Sequence, residues 1–365
     1  MRFRLRVAAI VLVAVISVCA VGCSRFSPDL PPHLIPVGEA TPVRPVDGRE
    51  PYTMSPLPDK LDEAAYRARM DELYSAVVYD GLRPIFRDND PAEAVYTAAR
   101  RILDRYVSNE WHGSADGEYN IVHAVHDCLA YYVDYDFELY DAYKNGATAL
   151  SSDPAFHIDG VFLRGKAVCD GLSRAFEFLC ALEGISSVRV TGSLASVPHA
   201  WNKVRIGGKW YNVDVTAAAA HYSVGGGEYR KQLSHGYFLL SDKTYAEFKA
   251  QSHVFAEQPF VATEDYDYYG GEQAEIGGET FPLVVTSRDG LTSLFEAVRK
   301  ADKAIGKLEV RLDYGGYVQV NAADMYRDDI AAAYDVLGNS DFRFHTDSVP
   351  YFRYPNGVYL FLFYY

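Results

Sequence analysis

Two alternating apolar–polar runs, Pro198 to Ile206 and Lys209 to Val215, are separated only by Gly207-Gly208. This pair restricts folding more tightly than any other stretch of the chain. Two glycines between alternating runs predict a two-residue hairpin turn, because glycine supplies the positive φ angles that such a turn needs. With Gly207 and Gly208 as the loop, Ile206 faces Lys209 and the register of the ladder follows. Trp201 then comes opposite Asp214, and His199 opposite Thr216. Directly paired residues share a sheet face, as do residues two apart on one strand, so His199 and Asp214 are expected as diagonal neighbours. Diagonal pairs sit roughly 7–8 Å apart at the backbone, within reach of an imidazole and a carboxylate. A four-residue loop keeps this parity; a three-residue loop puts Asp214 on the opposite face.

A thiol precedes the hairpin. In Gly165-Lys-Ala-Val-Cys169-Asp-Gly171 a helix is expected to begin at or near Cys169. Leu172, Phe176, Leu179 and Cys180 form its buried stripe, and Gly184 ends it. The unpaired amides and the positive dipole end at a helix start favour a thiolate, and a nearby base turns a thiol into a nucleophile near neutral pH. Cys169, His199 and Asp214 thus offer a nucleophile, a base and a group to orient the base. The competing reading makes Cys169 a core thiol and His199 a satisfied strand histidine. Lys166, Asp170 and the flanking glycines are a poor setting for a core residue. Cys128 and Cys180 are better read as small buried apolar residues. Cys169 and Cys180 lie about three turns apart on one expected helix and cannot bond to each other.

Periodicity sets out the remaining elements. Helices are expected from Leu61 to Tyr79, from Asp90 to about Val107, and from Ile121 to Val133. Asp90 caps the second of these, with Pro91 first and Glu93 closing a capping box, and Val95, Ala98, Ala99, Ile102 and Tyr106 on one side. Residues 134 to 160 read as loop. Strands are expected at Ser187 to Thr191 and at Tyr237 to Leu240, with a short helix around Thr244 to Ala250. The acidic, Tyr- and Gly-rich stretch Glu264 to Glu279 reads as a domain boundary. Beyond it, strands at Phe281 to Thr286, Lys307 to Leu312 and Gly357 to Tyr365, with helices at Leu291 to Lys303 and within Ala322 to Leu337, make a small α+β domain over residues 280–365.

The N-terminal stretch is basic at Arg2, Arg4 and Arg6, then apolar from Val7 to Ala20, too short to span a bilayer comfortably. Its end, Ala20-Val21-Gly22-Cys23, resembles a bacterial lipoprotein signal. That resemblance implies cleavage after residue 22, lipidation of Cys23 and an exported, lipid-anchored protein. The proline-rich segment 23–60 reads as an extended tether. A formal charge of −14 argues against nucleic acid as partner. His123, His126, Asp127 and Cys128 have no completing cluster and read as core or solvent-facing residues, and Asp88-Asn-Asp90 is explained by capping. No cofactor or metal is expected.

At Gly165, Val168, Cys169, Gly171, Ala175, Phe176, Gly184, Ile185, Gly192, His199-Ala-Trp201-Asn202 and Trp210-Tyr211-x-Val213-Asp214, the chain resembles the transglutaminase-like superfamily, a branch of the papain-like cysteine enzymes. The resemblance is densest from about Gly160 to Asp214, extends more loosely from Ile121 to His253, and says nothing of residues 280–365. It implies an α+β fold with helices packed on an antiparallel sheet over residues 61–263. It also implies Cys169 as nucleophile, His199 as base and then acid, and Asp214 as orienter. The substrate would be a peptide or protein amide, cell-wall peptide included. Trp201, Trp210 and Tyr211 are expected to pack over the sheet, with Trp201 and Thr216 as candidates to line the cleft. Family members commonly follow the aspartate with Pro-Thr/Ser-Trp; here Val215-Thr216-Ala217 keeps the hydroxyl and lacks the aromatic wall, which bears on the shape of the cleft.

Overall fold

A computed structural model describes residues 43–147, 152–194, 197–218, 221–225, 228–231, 235–248, 253–255, 273–276, 278–300, 307–313, 329, 351–353 and 359–364. The expected leader, Cys23, most of the acidic Tyr-rich boundary and most of the expected helix within Ala322 to Leu337 lie outside these residues. The chain divides into two compact units, Met1–Ile185 and Ser186–Tyr365.

The first unit is helical: α1 Glu63–Val78, α2 Pro91–Tyr106, α3 Gly117–Tyr132, α4 Phe137–Lys144 and α5 Cys169–Leu182. α5 is its centre. Leu172, Ala175, Phe176, Phe178, Leu179, Cys180 and Leu182 are all buried, a wider face than a single stripe, because α5 packs against both α1 and α3. Those neighbours bury Met70, Leu73 and Val77 on α1, and Ile121, Val125, Cys128 and Leu129 on α3. α2 buries Ala92, Val95, Ala99, Leu103 and Tyr106. Ala98 and Ile102, expected on that face, are only half-buried.

The expected loop over 134–160 is largely ordered structure. Besides α4 it holds short helical turns at Pro154–Phe156 and, running past 160, at Gly160–Arg164. Two of the aspartates that gave it a loop-like composition are caps: Asp136 accepts from the Leu139 amide at 3.0 Å and Asp153 from the Ala155 amide at 2.9 Å. Asp90 also caps as expected, accepting from the Ala92 amide at 3.0 Å. Its own N–H donates to the Arg87 carbonyl at 3.1 Å, so the backbone takes the place expected for Glu93.

The segment read as a tether through residue 60 is folded from Val43 onward. Pro45–Gly48 forms a 3₁₀ turn, and β1, Pro51–Thr53, pairs in parallel with β2, Arg83–Ile85. The arginines of this strap tie it down. Arg49 donates to the Ala181 carbonyl near the end of α5. Arg44 is buried and donates to the Leu103 carbonyl at 2.7 Å, with the Asp104 carboxylate 3.1 Å away and that of Glu183 at 3.5 Å. Helix-end carbonyls need such donors. β3, Asp134–Tyr135, pairs in parallel with β4, Lys166–Ala167, and so fixes the chain just ahead of Cys169.

The second unit opens with a sheet of β5 Ser187–Leu194, β6 Val197–Ile206, β7 Lys209–Val213 and, later in sequence, β10 His253–Phe255, ordered β10-β5-β6-β7 and antiparallel throughout. Ile206 pairs with Lys209 across Gly207 and Gly208, whose φ angles of +57° and +80° are those of the expected turn. Two hairpins, β8 His221–Gly225 with β9 Glu228–Lys231 and β11 Gln273–Ile276 with β12 Glu279–Pro282, stand apart from that sheet. A second sheet, β13 Val284–Val285, β14 Lys307–Leu312, β15 Tyr351–Arg353 and β16 Tyr359–Tyr364, is ordered β13-β14-β16-β15. The helix α6, Arg288–Lys300, buries Leu291, Leu294, Phe295 and Val298.

Tyr237 to Leu240, expected as a strand, is a turn held to β7 by one antiparallel bridge between Asn212 and Leu240. Leu239 has φ +56°, which breaks an extended chain.

Candidate active site

The helical unit carries the thiol. Cys169 is the first residue of α5, behind an extended Val168 whose side chain makes no cap. It is partly exposed, whereas Cys128 and Cys180 are buried; all three are free thiols. Burial pushes the Cys128 and Cys180 thiols well up, away from the thiolate. The charged neighbours of Cys169 have their own partners. The Lys166 ammonium lies 3.1 Å from Asp136, and Arg174 lies 3.1 Å from Asp170, one turn earlier on α5.

Gly171 allows the approach of the chain that fixes this helix start. A Cβ there would fall 2.3 Å from the Ala155 carbonyl oxygen, the same oxygen that accepts from the Val168 amide at 3.0 Å. Gly171→Ala is expected to force that segment away and to cost about 1–3 kcal/mol of stability in chemical denaturation, the usual range for overpacking. A change within experimental error would contradict this tight approach.

The sheet unit carries a histidine–carboxylate pair. His199 on β6 faces Gly192 on β5, a partner without a side chain. Its Nε2 is 2.9 Å from Asp214 Oδ2, and both residues are buried, with Asp214 1% exposed. The diagonal approach expected from the turn is thus present, but the strand pairing beyond it is not. β7 stops at Val213, and Asp214 leaves the ladder to donate its N–H to the Tyr237 carbonyl at 3.0 Å. Its carboxylate accepts from the Ala217 amide at 3.4 Å, at the start of a helical turn, Val215–Ala218. Trp201–Asp214 and His199–Thr216 are therefore not ladder pairs. An aspartate that caps a helical turn ends the strand it follows.

Trp201, expected to pack over the sheet and a candidate for the cleft wall, is 1% exposed and belongs to the core with Val190, Leu240 and Tyr245. Its indole stacks on His199, ring centres 5.9 Å apart, and on Tyr245 at 5.3 Å. Burial of so large an apolar ring on the inner face of β6 outweighs exposure at the rim. Thr216 is half-buried on the helical turn.

Several residues around the pair had not been marked from sequence. Asn212 accepts from Trp201 Nε1 at 3.2 Å and donates to Asp242 Oδ1 at 3.0 Å. The fully buried Lys203 places its ammonium 2.8 Å from the same Asp242 oxygen, and burial pulls its pKa down against that attraction. Tyr245 donates to Asp214 Oδ2 at 3.3 Å. Burial and then the charge of Asp214 push the Tyr237 phenol up, so it stays neutral. Asn212, a polar residue inside the apolar run Trp210-Tyr-Asn-Val213, was a signal available in the sequence. Tyr245 gave none, because its role depends on where the chain returns to the sheet.

Residues 105–215, which include Cys169, His199 and Asp214, match the family model of the transglutaminase-like superfamily. Among solved structures, one described as a TGase is 21% identical, with a TM-score of 0.30 over 45% of this chain and 41% of that one. A candidate cysteine protease from Cytophaga hutchinsonii is 20% identical, with a TM-score of 0.23 over 35% of this chain and 38% of that one. The chain thus spans about two-fifths of the length of each. No curated protein matches. The α+β chain thus carries a transglutaminase-like core, with residues 105–215 similar to the transglutaminase-like superfamily.

Proposed function

We propose that the protein is an exported, lipid-anchored cysteine enzyme that transfers acyl groups from peptide or protein amides through a thioester. The observation that carries this reading is the buried His199–Asp214 hydrogen bond at 2.9 Å, in a chain that also starts a helix on a partly exposed thiol. Asp214 engages Nε2, so Nδ1 is the nitrogen that would take the Cys169 proton. The carboxylate fixes that tautomer and stabilises the imidazolium. In this mechanism the Cys169 sulfur attacks the amide carbonyl, and the developing oxyanion is met by the Cys169 backbone amide at the helix start. The carbon–nitrogen bond breaks, and His199 returns its proton to the leaving amine. Water then releases the acid, or a second amine forms a new amide; the first outcome is hydrolysis and the second transglutamination. Export and a lipid on Cys23 rest on the leader sequence, and they favour envelope peptides as substrates.

The test is mass spectrometry after treatment with a thiol-directed electrophile at neutral pH, and separately with candidate peptides and amines. Labelling of Cys169 faster than a free thiol, with no label on Cys128 or Cys180 in the folded protein, is the expected result. A Cys169 that reacts no faster than a free thiol, in a protein that hydrolyses and crosslinks nothing, would point instead to a binding module that keeps the fold without the chemistry.

A further inference from the structure

We propose that Tyr245 is a positioning residue for the His199–Asp214 pair, a proposal that rests on the acyl-transfer reading of those two residues. Tyr245 is completely buried on the short helix Asp242–Phe248, and its hydroxyl lies 3.3 Å from Asp214 Oδ2. That is the oxygen His199 Nε2 approaches at 2.9 Å. A carboxylate oxygen accepts only, so the phenol is the donor, and the two donors share one atom.

The second connection runs through the rings. Tyr245 stacks on Trp201 with planes 27° apart, and Trp201 stacks on His199 with planes 20° apart. His199, Trp201, Tyr245 and Asp214 therefore form a closed circuit in which each member touches the next. Its indole is held from outside the circuit. Trp201 donates to Asn212, Asn212 donates to both the Leu240 carbonyl and Asp242, and Asp242 pairs with the buried Lys203. Such a frame lets neither the imidazole nor the carboxylate rotate alone.

The hydroxyl also sets how strongly Asp214 holds a cationic imidazole. A donor on Oδ2 disperses the carboxylate charge, and in a buried site that dispersal is not replaced by water. Among the described residues, the neutral Tyr237 phenol and the Ala217 amide also face Asp214. Removing the Tyr245 hydroxyl leaves more of the charge for His199 to neutralise.

The test is an NMR titration of the His199 ring in the full-length protein, with the wild type compared with Tyr245→Phe and with 3,5-difluorotyrosine placed at position 245. In Tyr245→Phe the imidazole is expected to hold its proton about threefold more tightly, the effect of losing one long hydrogen bond to the carboxylate. Difluorotyrosine, a stronger donor, is expected to shift it in the opposite direction. It keeps the ring and the hydroxyl, so it answers the question even if the phenylalanine variant folds poorly. Identical titrations in all three folded proteins would overturn the proposal, since a purely structural tyrosine would leave the imidazole unmoved. The readout is protonation and not turnover. An inert Cys169 in a protein with a coupled imidazole would refute the acyl-transfer reading alone; an active enzyme with an uncoupled imidazole would refute the role of Tyr245 alone.

Discussion

Cys169→Ala is expected to abolish thioester formation and to lower any amide hydrolysis or amine transfer by at least about 10⁴-fold, the scale seen when a catalytic nucleophile or its base is removed. His199→Ala is expected to match it. The double variant should lose no more than either single one, because a nucleophile without its base and a base without its nucleophile fail at the same step. Asp214→Asn keeps the shape of the pair but turns one carboxylate oxygen into an amide. The buried imidazole, now 2.9 Å from a neutral group, loses the partner that fixes its tautomer, and a loss on the order of 10⁴-fold is expected. The measurement is product release followed by mass spectrometry at substrate concentrations below saturation. A Cys169→Ala protein with wild-type turnover would move the chemistry elsewhere in the chain. The same variant is expected to keep its melting temperature, since the partly exposed Cys169 removes little buried surface.

The largest expected effect on stability is at Asp90, far from Cys169 in sequence. Its carboxylate has two duties. It caps α2 through the Ala92 amide, and it takes both the Nε and the Nη2 of Arg69, at 3.0 and 2.7 Å. Arg69 is itself buried, at 4% exposure, and also donates to the Ser55 carbonyl. Asp90→Ala is expected to lose the cap, worth about 1 kcal/mol. It also takes from a buried guanidinium its buried carboxylate partner, leaving it Glu72 and the Ser55 carbonyl, and removal of one partner of a buried pair costs up to about 3–5 kcal/mol. The sum is close to the whole stability of a marginal domain, roughly 5–15 kcal/mol. Equilibrium denaturation checks it. Arg69→Met in the same background is expected to recover part of the loss, because it removes the under-compensated buried charge while filling the volume. A loss near 1 kcal/mol for Asp90→Ala would mean that Glu72, which already pairs with Arg69 Nη1, holds the buried guanidinium without Asp90.

These two sites show what kind of information the sequence carried. At Asp90 the cap was legible, because it is a local relation between a side chain and the next few amides. The ion pair with Arg69 was not, because nothing in either helix's periodicity says which residues meet across the interface. The same division holds over residues 134–160, where composition suggested loop and two of the aspartates, Asp136 and Asp153, turned out to be caps for short helices. At the strap, repeated prolines suggested a tether, yet from Val43 the chain is anchored through Arg44 and Arg49 to distant carbonyls and acids.

The site divides in the same way. The Gly207-Gly208 turn and the parity of β6 and β7 placed His199 near Asp214, because a two-residue turn sets a register and a register sets faces. Cys169 could be placed at a helix start because glycines and an apolar stripe mark one locally. The sequence by itself therefore determined the hairpin, the helix start and the three chemical groups, all consequences of short-range backbone geometry. Only the tertiary structure decided that Asp214 leaves the strand to cap a helical turn, that Trp201 is buried beneath His199, and that Tyr245 closes the circuit back to Asp214. Those relations depend on where the Tyr237–Leu240 turn and the helix after it return to β7, and hence on long-range packing of buried rings and paired polar groups that no local pattern encodes.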